Sequence, residues 1–272
     1  GVSRVIAVAS GKGGVGKSTC AVNLSMALEQ QGARVGLLDA DIYGPSVGMM
    51  LGISKDLKPN IKEEKYFEPI KVNGIRAMSM SFLIDENTPM VWRGPMASGA
   101  FQQMLLQTLW GDLDYLIVDM PPGTGDIQLT LSQKVPVDGA VIVTTPQDIA
   151  LQDAIKGIEM FTKVDVPILG VIENMAYFTP EELPNNKYYI FGKAGARYLA
   201  ADLDVPFLGE LPLVQSIREA GDIGRPASMQ ENTAVADALT KVTREVVQEV
   251  VSRNEHLPPT EAIKITTMAG CA

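Results

Sequence analysis

The sequence predicts an α/β fold with a doubly wound, mostly parallel sheet, and three observations lead there. Short apolar, β-branched runs alternate with stretches of helical periodicity along most of the chain. The first such run leads at once into a glycine-rich loop and then a helix, which is how a nucleotide-binding βα unit begins. At 272 residues and 46% hydrophobic content, the chain can also bury both faces of such a sheet.

Taken in order, the strand-like runs are 4–9, 34–39, 75–79, 115–119, 139–144, 168–173 and 206–209. The helical patterns cover 17–31, 95–109, 126–134, 147–163, 192–203 and 231–253. Alternation of this kind puts helices against a parallel sheet and ligands at the carboxyl ends of its strands. The least regular stretches are 53–74, 174–191 and everything from 254 onward. Pro258 and Pro259 stop the last helix, so residues 1–253 are expected to form the domain and 254–272 a mobile C-terminal tail.

Composition removes several classes of function. A formal net charge of −9 argues against broad binding to nucleic acid or anionic membranes, which depends on basic patches. No run of about 18 apolar residues is present to span a bilayer. Two distant cysteines, Cys20 and Cys271, make no disulfide framework and point to a reducing, cytoplasmic setting. The chain enters its first strand almost at once, so no signal peptide is expected within it, and it lacks an initiator Met.

The loop after the first strand runs from Ser10 to Thr19, and Gly11, Gly16, Lys17 and Ser18 satisfy G-x-x-x-x-G-K-[ST]. Backbone N–H groups of such a loop and of the following helix point at anionic oxygens, and the helix dipole adds to the attraction. Gly11, Gly13, Gly14 and Gly16 allow close approach of the backbone, with Lys12, Val15 and Thr19 completing the cradle. Lys17 is expected to reach the β- and γ-phosphates of ATP, and the Ser18 hydroxyl to ligate Mg²⁺.

Three acids stand at strand ends beside this loop. Asp39 closes the second strand and is placed to hold Mg²⁺-bound water; Asp41, two residues on, points the same way and can reach a γ-phosphate. Asp119 ends the apolar run Tyr115, Leu116, Ile117, Val118, an arrangement that places it near Mg²⁺. Asn174, at the end of the run 168–173, offers a donor and an acceptor that suit an adenine edge. The structural alternatives are a strand-end cap for each Asp and a strand-end turn for Asn174.

Lys12 makes the loop match K-G-G-x-G-K-[ST], which resembles the deviant P-loop of the nitrogenase iron protein, MinD and ParA ATPases. The resemblance implies a homodimer in which Lys12 reaches the partner's nucleotide. It also implies Mg²⁺ chemistry at Asp39, orientation of the attacking water by Asp41, and a mobile switch over 121–126 after Asp119. Asn174 then contacts the base, which Pro212, in the run Leu211 to Leu213, helps to cover. Asp39 to Ser46, Asp119 to Asp126, Ile172 to Met175 and Ile190 to Gly192 together resemble one branch, the Mrp/ApbC iron–sulfur cluster carriers. That resemblance, over residues 3–253, implies an ATP-hydrolysing carrier that passes a [4Fe–4S] cluster to client apoproteins. Bacterial members often have a small N-terminal domain before the ATPase, in keeping with the missing Met.

One departure from the pattern bears directly on the cargo. The branch usually has Cys-x-x-Cys after the motif at 173–178, and here Thr179 and Glu182 stand at those positions. Neither is the soft thiolate ligand that a cluster requires. Cys20, in the helix after the loop, reads as a buried structural thiol. Cys271 on the tail is a candidate cluster ligand or an inert terminal thiol. His256 is the only histidine, so a histidine-based site is not expected, and the 13 methionines read as packing. Two alternatives stay open: a nucleotide-gated scaffold without cluster binding, and a MinD/ParA-like positioning ATPase. The last helix mixes Lys241 and Arg244 with Glu245 and Glu249, and so lacks the basic face the second alternative needs.

Overall fold

The computed structural model describes residues 1–83, 94–230 and 233–262. Its strands are β1 (Val2–Ala9), β2 (Val35–Asp39), β3 (Ile61–Lys62), β4 (Tyr66–Phe67), β5 (Ile70–Val72), β6 (Ile75–Ser79), β7 (Leu113–Asp119), β8 (Gly139–Thr144), β9 (Ile168–Glu173) and β10 (Phe207–Glu210). Eight of them form one sheet in the order β10-β9-β8-β1-β7-β2-β6-β5, and β3 and β4 form a separate hairpin. Every pairing in the large sheet is parallel except that of β5 with β6. Strands covered on both faces read as continuous apolar runs, and β8 is buried along its whole length.

The flanking helices are α1 (Lys17–Gln30), α2 (Val47–Met50), α3 (Gly94–Gln107), α4 (Asp126–Lys134), α5 (Asp148–Lys163), α6 (Gly195–Asp202), α7 (Gln215–Asp222) and α8 (Ala234–His256). α1 is buried nearly all round, by the sheet and by α8, which is why Cys20, Ala21, Val22, Leu24, Met26 and Leu28 show no clean amphipathic stripe. On α8, Leu239, Val242, Val246 and Val250 join the central core, as their helical spacing requires. The topology reverses at β1, which pairs with β7 on one side and β8 on the other. Ligands bind at such a crevice in open α/β sheets.

Several boundaries differ from the expectations for local reasons. β1 starts at Val2, because Val2 already pairs with Leu113, and β10 is shifted by one residue to Phe207–Glu210. The helix expected over 192–203 shortens to α6, since Gly192 and Ala194 have left-handed backbone (φ 114° and 58°). The helix expected over 231–253 begins after Thr233, whose side chain accepts the Ala236 N–H, and runs on to His256. The irregular stretch 53–74 holds β3, β4 and β5, and α2 and α7 were not anticipated. Among the described residues no helix is long and apolar enough to cross a membrane. Cys271, the candidate cluster ligand, lies outside the described residues.

Candidate functional site

The glycine-rich loop joins β1 to α1 at the carboxyl edge of the sheet, with Gly16 left-handed (φ 83°) at the start of the helix. It is a built loop. Ser10 Oγ donates to the Lys12 carbonyl at 2.8 Å, and the Ser10 carbonyl accepts the Gly123 N–H at 2.9 Å. Gly11 lies so close to α5 that a Cβ there would stand 2.0 Å from the Asp153 carbonyl. Gly13 and Gly14 have open space instead and are exposed, while Lys12, Ser18 and Thr19 are partly buried.

Asp39 and Asp119 end adjacent strands in direct register, with Asp119 also aligned on Val8 of β1. Both carboxylates are fully buried. Lys17 Nζ lies 2.5 Å from Asp119 Oδ1 and 3.2 Å from Ser18 Oγ, so the loop lysine neutralises the strand-end acid. Burial nonetheless pushes the Asp119 carboxyl up from its ordinary range, against the opposing pull of Lys17. Asp119 Oδ2 is buried without a hydrogen-bond partner. An orphaned carboxylate oxygen near a serine hydroxyl is a hard-donor set that fits Mg²⁺, which keeps several waters and needs few protein ligands.

Asp39 has a second occupation that its position in the sequence did not disclose. Its Oδ1 accepts the Asp41 N–H at 3.1 Å, and its Oδ2 accepts Ser46 N–H (3.1 Å), Val47 N–H (3.2 Å) and Ser79 Oγ–H (3.2 Å). It thereby shapes the loop 40–47 and fixes the start of α2. Burial, and then the neighbouring Asp119 charge, push its carboxyl up to about 7, outweighing the opposing N–H donors. Asp41 is partly exposed and its Oδ1 accepts the Gly44 N–H at 3.2 Å.

Asn174 is brought to the opposite side of the loop, where its Nδ2 donates to the Val15 carbonyl at 2.9 Å. Pro212 is buried just beyond β10, in a segment tied to the Asn174 turn. There Leu211 N–H bonds the Glu173 carbonyl, Ala176 N–H the Leu211 carbonyl, and Leu213 N–H the Tyr177 carbonyl. Reading the sequence missed Gln128. It is fully buried on α4 and donates 2.9 Å bonds to the Pro121 and Gly123 carbonyls, holding the loop after Asp119. Its only signal was a polar residue on the apolar face of that helix. Cys20 is buried behind the loop, its thiol pushed up to about 12 chiefly by burial and then by Asp119. Thr179 is half-buried and Glu182 exposed in a surface turn closed by a Leu183 N–H bond to the Pro180 carbonyl. Among the described residues, no group of three or more His, Cys, Asp or Glu could hold a metal ion.

The sequence model of one protein family, described as "ParA: NUBPL iron-transfer P-loop NTPase", matches residues 1–250. The chain belongs to this family. A Pseudomonas fragi relative of this P-loop NTPase, named iron-sulfur cluster carrier protein, is 58% identical over 236 residues, covering 87% of this chain and 80% of its own length. A Mus musculus relative, named iron-sulfur cluster transfer protein NUBPL, is 51% identical over 258 residues, covering 94% and 80%. Among solved structures, an Archaeoglobus fulgidus nucleotide-binding protein in complex with ADP superposes with a TM-score of 0.72 at 37% identity, covering 82% of this chain and 87% of the other. The Pyrococcus horikoshii MinD structure, at 22% identity and a TM-score of 0.69 over 93% and 99% of the two chains, shares the fold.

Proposed function

We propose that this P-loop NTPase is a Mg²⁺-dependent ATPase that works as a homodimer and carries iron–sulfur clusters to client apoproteins in the cytoplasm. The observation that carries the reading is the pair between Lys17 at the start of α1 and Asp119 at the end of β7, within a family whose relatives bear carrier and transfer names. Incoming phosphates would compete with Asp119 for Lys17, which lies between the strand-end acid and the loop hydroxyl of Ser18. Ser18, and through water Asp119 and Asp39, would hold Mg²⁺, which would supply charge stabilisation to the phosphates. Gly11 to Thr19 cradle the phosphates, Asp41 orients the attacking water, and Lys12 reaches across to the partner's nucleotide. One N–H of the Asn174 amide is engaged by Val15, which leaves its carbonyl oxygen and second N–H for an adenine edge under Pro212. The ATPase unit runs to the end of α8 at His256, three residues past the expected boundary at 253, and the rest of the chain is its tail.

The dimer has a direct test. In a heterodimer of a Lys12→Ala chain with an Asp41→Asn chain, one site carries both defects and the other neither if Lys12 acts in trans. Partial recovery of turnover on mixing two inactive homodimers is the expected result. No recovery at any ratio, with heterodimers shown to form, rules out the trans role.

A second reading is favoured by one specific observation: Thr179 and Glu182 occupy the places where thiolates are expected. A nucleotide-gated scaffold would need no thiolates there. Two Cys271 from two chains supply half of the four thiolates a [4Fe–4S] cluster normally takes, so a carried cluster is labile and completed by the client's thiols. Iron and sulfide are to be measured after anaerobic reconstitution of wild-type and Cys271→Ala protein, each with and without a thiol-bearing client. A cluster that depends on Cys271 and is firmed up by the client supports the carrier. A stable cluster in Cys271→Ala alone removes the tail thiol from the account, and no cluster in wild type under any condition favours the scaffold.

A further inference from the structure

We infer that Asn174 is a strut of the phosphate-binding loop, so that phosphate affinity, and not base recognition alone, depends on its side chain. The inference rests on the nucleotide-site reading above and deepens it. Asn174 is 7% exposed, and its Nδ2 donates to the Val15 carbonyl at 2.9 Å, a bond that spans 159 positions of sequence. The next residue makes room for it, because a Cβ on Gly16 would stand 2.2 Å from that nitrogen. Gly16 is therefore needed twice, for its left-handed backbone (φ 83°) and for the amide seated beside it.

The consequence follows from peptide geometry. In a trans peptide the C=O of one residue and the N–H of the next point in opposite directions. Holding the Val15 carbonyl toward Asn174 therefore turns the Gly16 N–H away from it, at the head of the helix that carries Lys17 and Ser18. A loop amide aimed before the ligand arrives loses less entropy on binding. The strut itself is braced. Asn174 N–H bonds the Thr144 carbonyl of β8 at 2.8 Å, and Met175 is left-handed (φ 54°). Next to it the buried Glu173 carboxylate accepts the Ala196 N–H of α6 at 2.6 Å. Asn174 is a positioning residue in this role, acting through Val15.

Inorganic tripolyphosphate separates the two roles, since it offers phosphates and no base. Binding of Mg-tripolyphosphate and of Mg-ATP is to be measured by calorimetry for wild type and Asn174→Ala, with thermal melting of each. The expected result is about a tenfold loss of tripolyphosphate affinity in the variant, the size of one buried hydrogen bond, with a larger loss for ATP. Faster amide exchange confined to the loop peptide 11–17 should accompany it, a change that a general loss of stability would spread over β1 and β7. If Asn174→Ala does not fold, Asn174→Ser serves: its hydroxyl is too short to reach Val15, and the same losses are expected. Unchanged tripolyphosphate affinity beside weakened ATP binding overturns the strut and leaves Asn174 a base contact. Wild-type protein that binds neither ligand overturns the nucleotide-site reading, and the strut with it.

Discussion

Lys17→Ala is expected to abolish measurable ATP turnover and to destabilise the nucleotide-free protein, through two separate causes. Turnover falls by at least about 100-fold because the transferring phosphoryl group loses a point charge in a water-poor site. Stability falls because Asp119, fully buried, loses the cation 2.5 Å away. Breaking a buried pair from one side costs about 3–5 kcal/mol, less whatever is regained when the abandoned acid takes up a proton. The sign is fixed by the pair: Lys17 pulls the Asp119 carboxyl down against its burial, so removing Lys17 drives it further up. The stability loss therefore shrinks as pH falls. A Lys17→Ala/Asp119→Asn double variant separates the causes. It should recover much of the melting temperature while staying inactive. Wild-type turnover in Lys17→Ala would falsify the loop assignment, and a double variant no more stable than the single one would show that the pair contributes nothing to the free protein.

The sequence made the sheet and the phosphate loop legible because both depend on local pattern. Parallel strands buried on both faces had to be apolar runs, and the loop's glycines and lysine sit within ten consecutive positions. What it hid was set by contacts across long separations. Nothing near Asp39 announced that Ser79, forty positions later, would donate to it, or that Ser46 and Val47 would fold back onto the same oxygen. The Asn174 bond to the Val15 carbonyl was hidden in the same way, because the two residues are 159 positions apart. β5 escaped notice for a different reason: it is a three-residue antiparallel edge with Lys71 exposed in its middle, too short and too polar for a period to show. The helix expected over 192–203 was cut at its start by left-handed Ala194, a conformation that alanine composition does not predict.

The glycines of the loop looked interchangeable in sequence, and they are not. Gly11→Ala is expected to cripple nucleotide binding, whereas Gly13→Ala leaves the folded loop undisturbed. A Cβ on Gly11 would lie 2.0 Å from the carbonyl carbon and oxygen of Asp153 and 2.6 Å from the Ala154 nitrogen, all of them helix backbone in α5. No rotamer change relieves a collision with main chain, so either the loop lifts or α5 retreats. α5 is held in place: Ala150, Ala154, Ile158 and Phe161 are buried in the core. The loop is the softer of the two. When it lifts, it loosens the Ser10 carbonyl bond to Gly123 N–H and carries the phosphate amides out of line. Overpacking of this kind costs about 1–3 kcal/mol of stability. The loss of ATP affinity is larger, on the order of 100-fold, because several convergent N–H donors move together. Gly13 has nothing within 4 Å of where its Cβ would go, so its alanine variant should melt within a degree or two of wild type. Calorimetric ATP binding and melting of the two variants side by side make the test. Equal effects of the two substitutions would mean that the loop does not rest on α5 in solution.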